Sequence, residues 1–270
     1  MITDDHVKID RDGHLVTVTL DRPGTRNACS MNMWLAIRDA FRDIAASDAR
    51  CVVLTGANGD FCSGADIVKK PGGSDPGWEG NRLTAMRQLA ESVVAVHDCP
   101  VPVIAKVDGV AVGAGFGLAL AADMLWCSDR ARMSAVFAKL GLSLDYGSSW
   151  LLAKRLGLHR AKEVAFTAEM MSAARIDEIG LANGVVPADR LEEVVAGVAR
   201  RIVDGPPIGP VHDEAHARHR RQLVADPGPR DRGDRPERQP RRVRPDRGPD
   251  GVRREARPGA PGPLTVGATP

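Results

Sequence analysis

Phe61-Cys-Ser-Gly-Ala-Asp-Ile67 and Gly109-Val-Ala-Val-Gly-Ala-Gly-Phe-Gly117 are the two stretches on which the reading of this chain turns. Each follows a short apolar run of buried-strand character, Cys51–Leu54 before the first and Val101–Val107 before the second. A glycine-rich turn between a strand and a helix leaves backbone N–H groups unpaired and pointing outward. The dipole of the helix adds positive potential there. Two such groups converging on one oxygen make an oxyanion hole, in which each donor is worth roughly 2.7–4 kcal/mol of transition-state stabilisation. Taken singly, either turn reads equally well as a device for close helix–strand packing. A dinucleotide fingerprint at Gly113-x-Gly115 is disfavoured, because Leu118 stands where the third glycine belongs and no acid follows about 20 residues on in the expected place.

Working outward, His14–Leu20 alternates and is β-branched, which predicts a strand with Val7–Asp10 as its hairpin partner. From Met31 the period changes. Trp34, Ile37, Phe41 and Ile44 then share one helical face, with Ser30 as N-cap. Leu83–His97 and Gly113–Ala122 suit helices, Met124–Cys127 a third buried strand, and residues 58–80, rich in Gly, Asp and Pro, a loop. Ser148–Leu156, His159–Thr167, Ala173–Ile179 and Arg190–Val203 also suit helices. Strands alternating with helices predict an α/β layer fold with parallel pairing.

With 270 residues the chain can build one or two domains, and with only 4% aromatic residues its core must be filled by aliphatic side chains. The overall charge of +2 hides a division. Residues 211–270 hold 14 Arg, 10 Pro and nine acids with no aromatic residue, a net +5 that leaves −3 for the rest. Such a stretch cannot bury enough apolar surface to offset its ordering entropy. Residues 1–209 are therefore expected to form the folded domain and 210–270 a disordered, low-complexity tail. Five cysteines without a C-x-x-C spacing argue against disulfides and zinc, and for a reducing cytoplasm. The start, MITDDHVKID, does not read as a signal peptide, and the 14 uncharged residues Gly109–Ala122 are too few to span a bilayer. No metal, nucleic-acid partner or membrane is expected.

The two turns belong to a longer series. Leu20-Asp-Arg-Pro23, Arg26-Asn-Ala28, Val53-Leu-Thr-Gly56, Lys106-Val-Asp-Gly109, Phe137-Ala-Lys-Leu-Gly-Leu142 and Gly180-Leu-Ala-Asn-Gly-Val-Val-Pro187 keep one order and spacing with them. In series these motifs resemble the enoyl-CoA hydratase/isomerase, or crotonase, superfamily over about residues 5–205. The resemblance implies repeated ββα units in a spiral core, a homotrimer or hexamer, and a coenzyme A thioester as substrate with no further cofactor. It assigns the two oxyanion N–H groups to Ala65 and Ala114. It also lines the ligand with Ala28, Ala65, Asp66 and Ile67, sets Arg26 near the coenzyme phosphates, and turns Phe137 toward the acyl group. Arg26 reads equally well as a solvated loop cation.

The superfamily leaves the reaction open, because that depends on the side chains facing the α- and β-carbons. Its hydratases use two glutamates at positions that are here Gly117 and Phe137, neither of which can move a proton. Adding water needs both a base and an acid. One carboxylate remains, in Leu142-Ser-Leu-Asp-Tyr-Gly-Ser-Ser149, which resembles the L-x-P-D-x-G segment of superfamily double-bond isomerases with Leu144 in place of proline. Asp145 is thus the expected proton shuttle, in an apolar pocket formed with Phe137, Leu144 and Trp150. Its rival role is a turn residue that caps the helix starting near Ser148. His97 is expected to cap a helix end, His159 to begin a helix, and Asp66 and Asp123 to anchor turns. Two other functions stay open: a hydratase or thioester hydrolase using Asp145 and water, and a catalytically silent acyl-CoA-binding protein.

The tail has a simple explanation. Val211-His-Asp-Glu-Ala-His-Ala217 can be written in codons that, read one base later, give Ser-Met-Thr-Lys-Arg-Met. Asp226–Pro236 recodes in the same way to Thr-Gln-Ala-Leu-Glu-Ile-Glu-Ala-Thr-Ala. Both shifted readings are amphipathic helix and resemble the C-terminal helices of the superfamily. A frameshift near residue 209 is the expectation, a functional disordered tail the alternative, and the nucleotide sequence of the gene decides between them. After a frameshift, the helices that close the site and build the trimer would be missing.

Overall fold

Val16, Val18 and Leu20 point inward from β2 (Leu15–Leu20) while the residues between them are half-buried, the period-2 pattern of a strand with one face on the core. The computed structural model describes residues 2–66 and 82–206. The expected Ile67 contact, residues 67–80 of the expected loop and the expected tail lie outside these. β1 (Val7–Asp12) pairs antiparallel with β2 from Val7↔Leu20 to Asp12↔Leu15. Four parallel strands extend the sheet: β3 (Cys51–Gly56), β4 (Val103–Val107), β6 (Met124–Ser128) and β9 (Gly184–Val186).

β3 and β4 read as continuous apolar runs because both of their faces are covered. Val52, Leu54, Val103 and Ala105 join the main core, whereas Cys51, Val53 and Ile104 pack under α6 (Leu191–Asp204) against Leu191, Val195 and Ala199. On the main-core side lie α1 (Met31–Ala45), α2 (Arg82–His97) and α3 (Ala114–Ala121). Ser30 caps α1 as expected, its hydroxyl accepting from the Met33 N–H at 3.3 Å, and Trp34, Ile37, Phe41 and Ile44 form the buried stripe.

A second sheet joins β5 (Val110–Val112), β7 (Arg132–Ser134) and β8 (Met171–Ser172), strands of two or three residues that are too short to show a period. A 3-10 turn over Val136–Leu140 ends on left-handed Gly141, and the chain then runs through Asp145 into α4 (Ser148–Thr167). Gly157, with φ 72° and ψ 166°, breaks α4, so the two expected helices around it are physically distinct. α5 (Ala173–Glu178) completes the described helices. No helix among the described residues is long and apolar enough to cross a membrane.

Candidate active site

The first turn is pinned from both sides. The Cys62 N–H donates to Val110 O at 2.8 Å and the Val112 N–H donates to Cys62 O at 3.0 Å, which ties the turn to β5. Gly64 O accepts from the Cys29 N–H at 2.8 Å, and the Asp66 N–H donates to Cys29 O at 2.9 Å. Residues 64 and 66 thus spend their groups on Cys29. In this parallel bridge the N–H of Ala65, between them, points to the opposite side. Gly64 reaches that geometry with φ 100°, which side-chain-bearing residues rarely adopt.

The second turn delivers Ala114 as the first residue of α3, where backbone N–H groups have no acceptor within the helix. Gly113, at φ 60° and ψ −120°, makes the sharp entry. The two turns abut: a Cβ on Gly64 would lie 2.8 Å from Val112 O and 3.4 Å from the Ala114 nitrogen. A Cβ on Gly115 would lie 2.2 Å from Cys62 O, so the second residue of α3 must lack one.

Ala65 and Ala114 line one cavity of about 640 Å³. Ala28, Asp66, Phe137 and Asp145 line it too, so the structure gathers most of the residues expected from the sequence. Arg26 is not among the lining residues. Its side chain is 69% exposed, with Nε 3.8 Å from an Asp60 carboxylate oxygen. Arg22 lines the cavity instead, donating to Ala28 O at 2.7 Å and to Asp66 Oδ2 at 2.8 Å. Sequence reasoning placed Arg22 in the motif Leu20-Asp-Arg-Pro23 but gave it no role at the site, and so missed this cation.

Leu144 and Trp150, expected around Asp145, are likewise not among the lining residues. Trp150 packs in a T-shaped pair with His97 at the end of α2, the ring centroids 5.2 Å apart. Leu140, Leu142 and Tyr146 stand with Phe137 in the lining. Asp123 anchors a turn, accepting from the Val103 N–H at 2.8 Å. His159 falls just after the Gly157 break in α4.

Asp145 opens a tight reversal. The Ser148 N–H donates to Asp145 O at 3.0 Å across Tyr146 (φ 54°) and Gly147 (φ 72°, ψ −9°), the positive-φ pair of a type I′ turn. Asp145 Oδ1 accepts from the Tyr146 N–H at 2.7 Å. The N-cap of α4 is Gly147, with no side-chain cap bond, so the carboxylate does not cap that helix. A tyrosine held at positive φ costs on the order of 1–3 kcal/mol, which the surrounding contacts must offset. Its ring lies 4.7 Å from that of Trp34, its hydroxyl pairs with Ser92 on α2, and burial pushes the phenol well above its ordinary pKa. Over Gly117, the Tyr146 carbonyl oxygen stands 2.4 Å from where a Cβ would be.

Comparison with known proteins places this geometry. The sequence model described as enoyl-CoA hydratase/isomerase matches residues 10–225. The chain belongs to the enoyl-CoA hydratase/isomerase family. It is 36% identical over 194 residues to a probable enoyl-CoA hydratase of Rhodobacter capsulatus, covering 71% of this chain and 73% of that protein. It is 33% identical over 203 residues to the 1,2-epoxyphenylacetyl-CoA isomerase of Escherichia coli, covering 72% and 75%. The crystal structure of the enoyl-CoA hydratase from Bacillus anthracis matches with a TM-score of 0.72 and 28% identity over 82% of this chain and 84% of that one. The chain is thus an enzyme of the hydratase/isomerase family with the crotonase α/β fold.

Proposed function

We propose that this member of the family moves the double bond of an enoyl-CoA thioester, with Asp145 carrying the proton. The N–H groups of Ala65 and Ala114 would hold the thioester oxygen. Removal of a C2 proton from a 3-enoyl thioester leaves a dienolate whose charge rests largely on that oxygen. The two donors, each worth about 2.7–4 kcal/mol in such sites, and the N-terminal dipole of α3 lower its energy. Asp145, protonated in the first step, returns the proton to C4. One group serves as base and then acid, and no atom is gained or lost.

The observation that carries this reading is that Asp145 lines the same cavity as Ala65 and Ala114. Among the described residues, the other carboxylate in that lining is Asp66, which accepts from Arg22. Gly117 and Phe137 offer no second group for adding water. A relative named as a CoA-thioester isomerase is further support. The backbone around Ala28, Ala65 and Asp66 would receive the nucleotide portion of the substrate, and exposed Arg26 would offer its guanidinium to the phosphates.

The test is to offer 3-enoyl-, 2-enoyl- and aryl-CoA thioesters to wild type and Asp145→Asn. Isomerisation of the 3-enoyl substrate is expected, with a loss of about 10²–10⁴-fold in the variant. Isomerisation unaffected by the substitution would sink the proposal, and hydration outpacing isomerisation in wild type would replace it with the water-adding reading.

A further inference from the structure

Tyr146 sits where a tyrosine is least expected. In a type I′ turn both central residues need positive φ, and Asn, Asp and Gly are the residues that supply it readily. Gly147 fits that rule and Tyr146, at φ 54°, does not. Such a conformation persists only where neighbouring contacts over-determine it, and strained residues of this kind gather at functional sites.

The contacts that hold Tyr146 come from three separate elements. Ser92 Oγ donates to Leu89 O at 2.6 Å, which uses its one hydrogen, so the Tyr146 hydroxyl is the donor in the Ser92–Tyr146 pair. The phenol ring lies against Trp34 of α1. The Tyr146 carbonyl is seated over Gly117 of α3, where any side chain would exclude it. Both Ser92 and Tyr146 are buried, so this anchor is shielded from competing water. In the preceding peptide unit, on the other side of the Tyr146 Cα, the Tyr146 N–H donates to Asp145 Oδ1 at 2.7 Å. One carboxylate oxygen is thereby fixed, and the plane of the group is fixed with it.

We propose that Tyr146 is a positioning residue, held by Ser92, Trp34 and Gly117, that aims the Asp145 carboxylate at the reacting carbon. The proposal rests on the reading of Asp145 as the proton carrier. Proton transfer demands near-attack geometry, and a misplacement of about 1 Å can cost about 10²-fold in rate. A loop carboxylate with a free peptide behind it samples several rotamers, whereas this one is set by a side chain anchored in the helical layer. The strained turn therefore has a use: it couples a rigid helix, α2, to a catalytic group on a loop.

The test compares Ser92→Ala, Tyr146→Phe and Tyr146→Asn with wild type on a 3-enoyl-CoA substrate, reading kcat, KM and thermal midpoint. The first two remove the hydroxyl pairing and leave the ring, so kcat should fall about 10-fold with KM within about 2-fold. Ser92→Thr, which keeps a hydroxyl, should restore most of the rate. Asn suits the backbone angle yet removes the ring, so kcat should fall further even though the turn is relaxed. Combining Tyr146→Phe with Asp145→Asn should add no further loss, because positioning matters only while there is a carboxylate to position. Wild-type kcat in both Ser92→Ala and Tyr146→Phe, or full additivity in the double variant, overturns the proposal. Wild-type kcat in Tyr146→Asn does so as well. Isomerisation that survives Asp145→Asn overturns the underlying functional reading instead, so the two failures are distinguishable.

Discussion

The carbonyl oxygen of Tyr146 occupies the space that a side chain on Gly117 would need, 2.4 Å from the ideal Cβ position. By the resemblance read from the sequence, this is a position that takes a glutamate in hydratases. Here glycine is fitted to the turn above it, so Gly117→Glu is expected to install no hydration. It should displace the Tyr146 turn and bury an unpaired carboxylate. Overpacking of this kind costs about 1–3 kcal/mol before the charge is counted, a fall in thermal midpoint of about 5 °C or more. Calorimetry and a 2-enoyl-CoA hydration assay read both effects. A stable variant that hydrates would contradict the account.

Gly64→Ala tests the first turn. The backbone there stands at φ 100°, and the added methyl would meet Val112 O at 2.8 Å, so the peptide that carries the Ala65 N–H must move. If that N–H is an oxyanion donor, kcat should fall about 10²–10³-fold. Coenzyme A binding, measured by calorimetric titration, should change far less. Equal losses in binding and in kcat would point to collapse of the turn rather than loss of a donor.

Arg155 closes the opposite end of the helix that begins at Ala114. From α4 it donates to Leu120 O at 2.7 Å and also to Ala122 O, carbonyls at the α3 C-terminus that lack helical partners. Desolvation lowers its pKa, but the guanidinium keeps its charge and complements the helix dipole. Arg155→Met leaves buried acceptors unpaired and should cost about 2–4 kcal/mol in urea unfolding, with kcat of the folded protein changed by only a few-fold. A loss below about 0.5 kcal/mol would show that solvent replaces the cap.

Much of this molecule could be read before its structure. The Ser30 cap, the stripe Trp34–Ile37–Phe41–Ile44 and the strand at Leu15–Leu20 announce themselves by local chemistry. So do the two glycine turns, since their glycines stand out in sequence, although partners such as Cys29 and Val110 hold the first in place. Strands β5, β7 and β8 stayed hidden, being two or three residues long and stabilised by partners distant in sequence. The roles of Arg22, Ser92 and Tyr146 were equally invisible. Arg22 meets Asp66 44 positions away and Ser92 meets Tyr146 54 positions away, and nothing local in either residue reports that pairing. Arg26 is the converse: a motif assigned it, and the structure turns it toward solvent and Asp60.

Buried thiols give the protein an alkaline weakness. Burial, with the Asp123 carboxylate adding to it, pushes Cys51 up to about 12; burial takes Cys127 to about 12 and Cys99 to about 11. In the unfolded chain a thiol ionises near 8.5. Below that pH both states hold the proton and the thiols do not affect the balance. Above it the unfolded state loses protons that the folded state keeps, so stability falls as pH rises, until the folded pKa values are reached. The slope is on the order of 1 kcal/mol per thiol per pH unit. Urea unfolding in reducing buffer should therefore show a marked loss between pH 8.5 and 11. Tyr146, whose phenol is raised by burial, adds to it above about pH 10. Cys127→Ala should be less stable at pH 8, because it leaves a small cavity, yet lose less on going to pH 11. A stability curve that is flat over that interval, or the same slope with and without Cys127, would show that the thiols are not the cause.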